Sequence, residues 1–168
     1  MELKKFFLAQ LEREAAATRK VLERVPEGRN DWKPHEKSMP LGYLAALVAE
    51  MPGWPTLMIE KDELNLDDTS SEGLKTKAVG TKAELLEKLE KGLSKSRNAL
   101  ENTTEDHLMK PWRFVMGGHT VSEDPRYVML THAVFNHLAH HRGQLTVYLR
   151  LCEASVPAIY GPSADEMY

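Results

Sequence analysis

The stretch from Asp124 to Cys152, DPRYVMLTHAVFNHLAHHRGQLTVYLRLC, decides how the rest of the chain is interpreted. Asp124 precedes Pro125, which predicts a helix start, because aspartate caps free backbone amides and proline suits the first helical turn. One set of residues then recurs at steps of three and four, the spacing that places side chains on one helix face. These residues are Leu130, Val134, His137, His141, Leu145, Tyr148 and Cys152. The stretch therefore predicts one long helix with two histidines in its inward stripe.

His137 and His141 lie one helical turn apart in this stripe. Histidines at i and i+4 on one helix face can hold a single metal ion, because their ring nitrogens converge. Buried histidines also occur as hydrogen-bonded members of an ordinary core. The pair is therefore a candidate metal site, and a hydrogen-bonded core pair is the alternative.

Length and composition narrow the class of protein. The chain has 168 residues, a net charge of −3 and one cysteine. The length suits a single domain over residues 1–168, and the charge argues against nucleic acid as a partner. The single Cys152 excludes an internal disulfide and suits a reducing cytoplasm. No stretch approaches the roughly 18 apolar residues of a membrane span, so we expect a soluble, cytoplasmic protein.

The rest of the chain predicts further amphipathic helices. A first helix is predicted over Glu2 to Val25, and a second from about Ser38, with an interruption at Pro52-Gly53 because proline lacks a backbone donor. The sequence from Thr81 to Glu84 fits a capping box, in which two polar side chains satisfy free backbone amides at the start of a third helix. Residues 65–80 are polar and predict a surface loop.

A short hairpin is predicted before the last helix. Trp112 to Met116 and His119 to Val121 flank Gly117-Gly118, a two-residue turn signal. Four amphipathic helices with this one hairpin predict an all-α fold, an up-down four-helix bundle in a single domain.

Three parts of the sequence resemble the DinB/YfiT-like superfamily. The string NHLAHHRGQL at residues 136–145 is similar to its N-H-x-x-H-H-R-G-Q signature. LGYLAALVAEMPGW at residues 41–54 and VPAIYGPSADE at residues 156–166 are also similar to stretches of the family. The resemblance covers nearly the whole chain and implies a four-helix bundle of the DinB/YfiT-like type.

The resemblance also implies a metal site. Members of the superfamily typically hold a divalent metal, nickel or zinc among them, through one histidine of the second helix and two of the last. This assigns His137 and His141 as metal ligands and leaves Gln144 to support a ligand histidine by a hydrogen bond. The second-helix histidine of the pattern L-G-x-L-A-x-H-x-A-E-x-P-G-W is replaced by Leu47, and no histidine occurs between His35 and His107.

Leu47 cannot coordinate a metal, so the implied site keeps two protein ligands where catalytic zinc usually has three. Glu50 lies about 60° further around an ideal helix and is the candidate substitute. Together with the histidine pair it would form a two-histidine, one-carboxylate set. The alternative is a surface or rim position for Glu50. His35 and His119 lie on loops and are weaker candidates.

Three functions follow as hypotheses. Some relatives are thiol S-transferases that use low-molecular-weight thiols, which implies a divalent-metal-dependent transferase or hydrolase, with metal binding weak or absent because of Leu47. The second hypothesis is a non-catalytic protein that binds a small molecule without metal. The third is a homodimeric interaction protein. The sequence assigns no catalytic residue under any of them.

Overall fold

Helices account for most of the chain in the computed structural model, which describes residues 2–68 and 76–167. The predicted mostly helical class is confirmed, and a small three-stranded sheet joins it within the described residues. The up-down order of a four-helix bundle stays a prediction. The elements are α1 (Leu3–Leu22), α2 (Leu41–Glu50), α3 (Trp54–Glu60), β1 (Glu63–Asn65), α4 (Lys82–Asn102), α5 (Glu105–Met109), β2 (Pro111–Met116), β3 (His119–Pro125), α6 (Arg126–Met129) and α7 (His137–Leu151).

Helix α2 is the most buried helix segment, and this explains why its sequence is apolar on nearly all sides. Eight of its ten residues are buried, from Leu41 through Ala49 with Tyr43 excepted. A 3₁₀ turn over Met51–Gly53 then joins α2 to α3. The predicted interruption at Pro52-Gly53 is confirmed, because proline cannot continue the α-helical hydrogen bonding.

The capping box predicted for α4 is present. The backbone N–H of Glu84 donates to Thr81 Oγ1 at 3.2 Å, and the backbone N–H of Thr81 donates to Glu84 Oε2 at 2.9 Å. The helix buries Leu85 in its first turns, while Leu86 is only half-buried. The inward face of α4 therefore begins at Leu85.

Gly53 and Gly92 bring the 3₁₀ turn and α4 into direct backbone contact. A Cβ atom on Gly92 would lie 3.0 Å from Gly53 Cα and 3.2 Å from Gly53 N. Because both neighbours are backbone atoms, a side chain here can be accommodated only if the two elements move apart. The absence of a Cβ at both positions permits this approach.

Gly92→Ala should therefore lower the free energy of unfolding by about 1 kcal/mol or more, because strain from overpacking outweighs the gain in helix propensity. Gly143 is the matched control, since it lies in α7 with open space around its Cβ position. Gly143→Ala should stabilise the protein by up to about 1 kcal/mol. Urea unfolding measures both changes, and a Gly92→Ala protein as stable as wild type would contradict the packing argument.

The small sheet has the order β1-β2-β3. Strands β2 and β3 pair antiparallel across Gly117-Gly118, both of which have positive φ, and β1 pairs parallel to β2. The carboxylate of Asp67 accepts hydrogen bonds from the backbone amides of both glycines, at 2.9 and 2.8 Å. These bonds lower the pKa of Asp67 and attach the segment after β1 to the turn.

The last helical run differs from the prediction at its start. Asp124 does not cap a helix, because it belongs to β3 and pairs with Trp112. The helical run begins at Arg126, passes through a π-helical segment over Leu130–Asn136, and continues as α7 to Leu151. A π segment has a wider turn than an α-helix, with hydrogen bonds from i to i+5.

Arg126 fixes this junction from within the protein interior. Its side chain is fully buried, and its guanidinium donates to the carbonyl oxygens of Met58, Lys61 and Pro111 at 2.8 to 3.1 Å. It also pairs with the carboxylate of Asp62. Carbonyl groups at the end of α3 and the start of β2 thereby accept hydrogen bonds from Arg126, which buried backbone groups need for stability.

A second buried arginine, Arg142, joins α7 to α1. Its guanidinium contacts Glu14 Oε2 at 2.5 Å, and it donates to the Glu14 carbonyl oxygen and Thr18 Oγ1 at 3.0 Å. The hydroxyl of Tyr160 donates to the same carboxylate at 2.7 Å. Arg142 therefore forms a buried ion pair with an acid of α1.

The end of the chain folds back over the helices, where Glu166 pairs with Arg24 and Tyr160 donates to Glu14. Ala158 is buried, and its backbone N–H donates to Glu166 Oε2 at 3.1 Å. Of the loop predicted over residues 65–80, residues 69–75 lie outside the described part of the chain. None of the helices in residues 2–68 and 76–167 is long and apolar enough to cross a membrane.

Candidate functional site

His137 and His141 meet at the start of α7. Their Nε2 atoms lie 2.8 Å apart, and their ring centroids are 4.6 Å apart. His141 is 6% exposed, whereas His137 is exposed, so only one of the two faces the interior as the stripe predicted. The ring of His137 packs against Trp54 of α3, with the ring centroids 5.7 Å apart.

Gln144 orients the buried member of the pair. Its amide oxygen lies 2.9 Å from His141 Nδ1. Because an amide oxygen can only accept, Nδ1 carries the hydrogen, and a neutral His141 then presents the lone pair of Nε2 to His137.

Partial loss of hydration favours the neutral form of both rings, although part of His137 remains exposed. It lowers the pKa of His137 below the ordinary histidine value, and the neighbouring His141 lowers it further. Burial also lowers the pKa of His141, although the hydrogen bond to Gln144 opposes this shift. Neutral imidazole is the form that binds metal ions, so the pair is held in the protonation state that coordination needs.

The spacing of the pair fits two positions of a metal site. A zinc ion held at about 2.0–2.1 Å by two nitrogens in tetrahedral geometry would place them about 3.3 Å apart. The observed separation of 2.8 Å differs from this by only about half an ångström, which small side-chain rotations can supply. The orientation by Gln144 also matches the way outer hydrogen-bond partners fix ligand histidines.

A third protein ligand is not assembled around the pair. Leu47 is 8% exposed and belongs to the same apolar cluster as Leu138 and Leu145 of α7. Glu50 forms an ion pair with Lys88 and accepts a hydrogen bond from Thr76 at 2.6 Å. Among residues 2–68 and 76–167, no group of three or more histidine, cysteine, aspartate or glutamate side chains could hold a metal ion. The residues therefore fit a two-nitrogen site and do not fit a three-ligand one.

The remaining candidates, His35 and His119, lie outside α7, whereas His140 is a neighbour of the pair on α7. His35 is exposed in the loop before α2, and its Nδ1 accepts from the backbone N–H of Lys37. His119 is exposed at the start of β3. His140 is exposed on α7, with its ring edge-on to His141 at 5.0 Å.

Comparison with known proteins identifies the family of the chain. The model of the DinB family matches residues 1–168. The chain belongs to the DinB family. Its fold is similar to that of a DinB-like protein from Bacillus cereus, with a TM-score of 0.71, 20% identity, and coverage of 92% of this chain and 95% of that one. A DinB-like protein from Bacillus subtilis gives a TM-score of 0.66 and 20% identity, with 89% and 94% covered. No curated protein sequence matches significantly.

Membership of the DinB family confirms the resemblance that the histidine string indicated. At 20% identity the two crystal structures support a common fold. In this DinB-family chain the fold brings His137, His141 and Gln144 together and keeps Leu47 in the core. A metal role for the pair stays a prediction.

Sequence reasoning missed the aromatic neighbour of the pair. Trp54 lies far from His137 in sequence, and the helix spacing that relates the two histidines does not extend to it. Its position depends on the 3₁₀ turn, which carries α3 towards the π segment. The signal that could have found it is the Pro52-Gly53-Trp54 string, because a turn directly before a tryptophan redirects that side chain.

Proposed function

We propose that this DinB-family protein binds a divalent metal ion, nickel or zinc, through His137 and His141, and acts with a low-molecular-weight thiol as a transferase. The observation that carries the proposal is the convergence of the two Nε2 atoms, 2.8 Å apart, with His141 oriented by Gln144. Two protein ligands leave several coordination positions for solvent or substrate, so affinity for the free ion should be modest.

The protein residues have distinct tasks under this proposal. His141 is buried and fixed by Gln144, so it defines the position of the site. His137 is exposed and packs on Trp54, so it forms the side of the site that substrate can reach. The chemistry that a bound divalent ion supplies is Lewis acidity, which activates a thiol or a water molecule.

Calorimetric titration of untagged protein with nickel and zinc tests this proposal. We expect His141→Ala to weaken binding by about tenfold or more, because loss of even an outer partner typically costs 10–100-fold in affinity. Gln144→Leu should weaken it by about tenfold. His132→Ala is the control, since His132 is exposed in the π segment and its ring lies beside Asn136, one turn before the pair. Wild-type protein that binds neither ion, or equal loss in the control, would overturn the proposal.

A second function is favoured by a cavity beside the pair. The cavity has a volume of about 510 Å³, and His137 forms part of its wall. The same residues could therefore serve a protein that binds a small molecule without metal. In that case, dialysis against nickel and zinc would leave no bound ion, while small-molecule binding would persist.

A further inference from the structure

The walls of the cavity next to His137 come from several parts of the fold, and Lys95 of α4 also lines it. One wall comes from α3, a second from the sheet, and a third from the run of α6 and the π segment. Its volume of about 510 Å³ falls within the 300–1,000 Å³ typical of small-molecule sites. The small sheet therefore has a structural role, because it forms one side of the cavity.

The register of the sheet aligns the residues of that wall. Leu64 of β1 is paired with Phe114 of β2, and Phe114 is paired with Ser122 of β3, so the three form one row across the sheet. All three line the cavity, together with Trp112, which lies two residues before Phe114 on the same face. The wall is therefore apolar and aromatic, with one hydroxyl at its β3 edge.

The helical walls have the same character. Trp54 and Met58 of α3 and Met129 of α6 line the cavity. Methionine side chains adapt to irregular shapes and make favourable contacts with aromatic rings. Aromatic side chains offer flat faces on which planar or branched hydrocarbon groups can pack. The lining therefore selects a ligand with an apolar body.

Two opposite charges lie at this cavity. Lys95 and Glu60 both line it and are both exposed, and neither forms an ion pair within residues 2–68 and 76–167. The two side chains carry opposite formal charges, so together they give the cavity no net charge. The electrostatic field in the cavity therefore favours neither an anionic nor a cationic ligand.

We infer that this cavity is a binding site for an uncharged small molecule with an aromatic or hydrocarbon body, held by the aromatic face of the sheet and by α3, with His137 at its wall. The inference does not depend on metal binding, because the apolar walls are built without the histidine pair. A ligand seated here would lie against the exposed member of that pair.

The test uses metal-free full-length protein and the uncharged fluorescent probe N-phenyl-naphthylamine. We expect saturable binding with one site and energy transfer from tryptophan, since Trp54 and Trp112 line the cavity. Ser122→Trp should weaken binding by about tenfold or more, because an indole in place of a hydroxyl fills the space. Val121→Trp is the control, because Val121 is exposed and does not line the cavity.

The matched anionic probe, anilinonaphthalene sulfonate, distinguishes the effect of ligand charge on binding from the effect of ligand shape. It carries the same two ring systems with an added sulfonate, and we expect it to bind more weakly than the uncharged probe. Tighter binding of the sulfonate would overturn the inference of an uncharged ligand. Equal affinity of the Ser122→Trp and Val121→Trp proteins, with both folded by circular dichroism, would overturn the location. If Ser122→Trp does not fold, Ala133→Phe provides the second cavity-filling variant.

Discussion

Replacing Arg142 by methionine should lower the free energy of unfolding by about 3–5 kcal/mol, because the substitution leaves a buried carboxylate without its cation. The side chains of Arg142 and Glu14 are 1% and 4% exposed. Gln10 and Tyr160 still donate to Glu14, at 3.0 and 2.7 Å, but neither carries a charge that offsets the cost of burying it. Thermal and urea unfolding of both proteins measure the loss.

The double variant Arg142→Met with Glu14→Leu separates the cost of the unpaired charge from that of lost packing. Replacing both members of a buried ion pair by apolar groups is often neutral, so we expect the double variant to regain most of the lost stability. The positive coupling free energy in this cycle would assign the loss to the orphaned carboxylate. A single variant within about 1 kcal/mol of wild type, or a double variant no better than the single one, would contradict the assignment.

Leu47→His should raise the affinity for nickel and zinc by about 100-fold or more. Loss of a residue that only supports a metal ligand already lowers metal affinity by about 10–100-fold, so the gain of a ligand should have at least this effect. The prediction rests on the DinB pattern, in which a histidine occupies this position, and on the intact pair of His137 and His141. A third imidazole would complete the arrangement that holds catalytic zinc. Burying a polar ring should cost about 1–3 kcal/mol of stability without metal.

Calorimetry in buffers of different ionisation enthalpy measures both affinity and proton release, which accompanies coordination by imidazole. Val48→His is the matched control, because Val48 is equally buried but lies about 100° around the helix. It should lose similar stability and gain no affinity. If wild type already binds below micromolar concentration and Leu47→His changes nothing, another group completes the site, and Glu50→Gln tests that group next. If neither protein binds, the pocket serves a ligand other than a metal.

Features that depend on a few neighbouring residues could be predicted from the sequence. The capping box at Thr81 and Glu84 needs only two side chains and the backbone between them. The turn at Gly117-Gly118 follows from the freedom of glycine to adopt positive φ, which both residues use. The interruption at Pro52 follows from its missing donor.

Features that depend on distant partners could not be predicted. Strand β1 has three residues and exists because Glu63 to Asn65 align with β2, some fifty positions later. Asp124 carries the sequence signal of a helix cap, but pairing with Trp112 in the sheet takes precedence over that local preference. Burial of Arg142 likewise depends on Glu14 from the other end of the chain.

The features of the candidate site also fall into those set by neighbouring residues and those set by distant partners. Spacing along one helix predicts that His137, His141 and Gln144 lie close together, and they do. The exposure of His137 was not predicted, because it depends on the cavity beside the ring, which is formed in part by α3 and the sheet. The role of Glu50 was left open by the sequence, and its contacts with Lys88 and Thr76 come from elements outside α2.

The π segment directly before the pair has a consequence for how such a site can change during evolution. A π turn in an α-helix is equivalent to the insertion of one residue, so losing or gaining a single codon in Leu130–Asn136 would change it to or from a regular helix. The π turn absorbs the extra residue, so the helix downstream keeps its direction, whereas the same insertion accommodated as regular α-helix would rotate everything downstream by about 100° about the helix axis. Loss of one codon within this segment could therefore reshape the helix at Ala133, which lines the cavity, while His137 and His141 keep their direction.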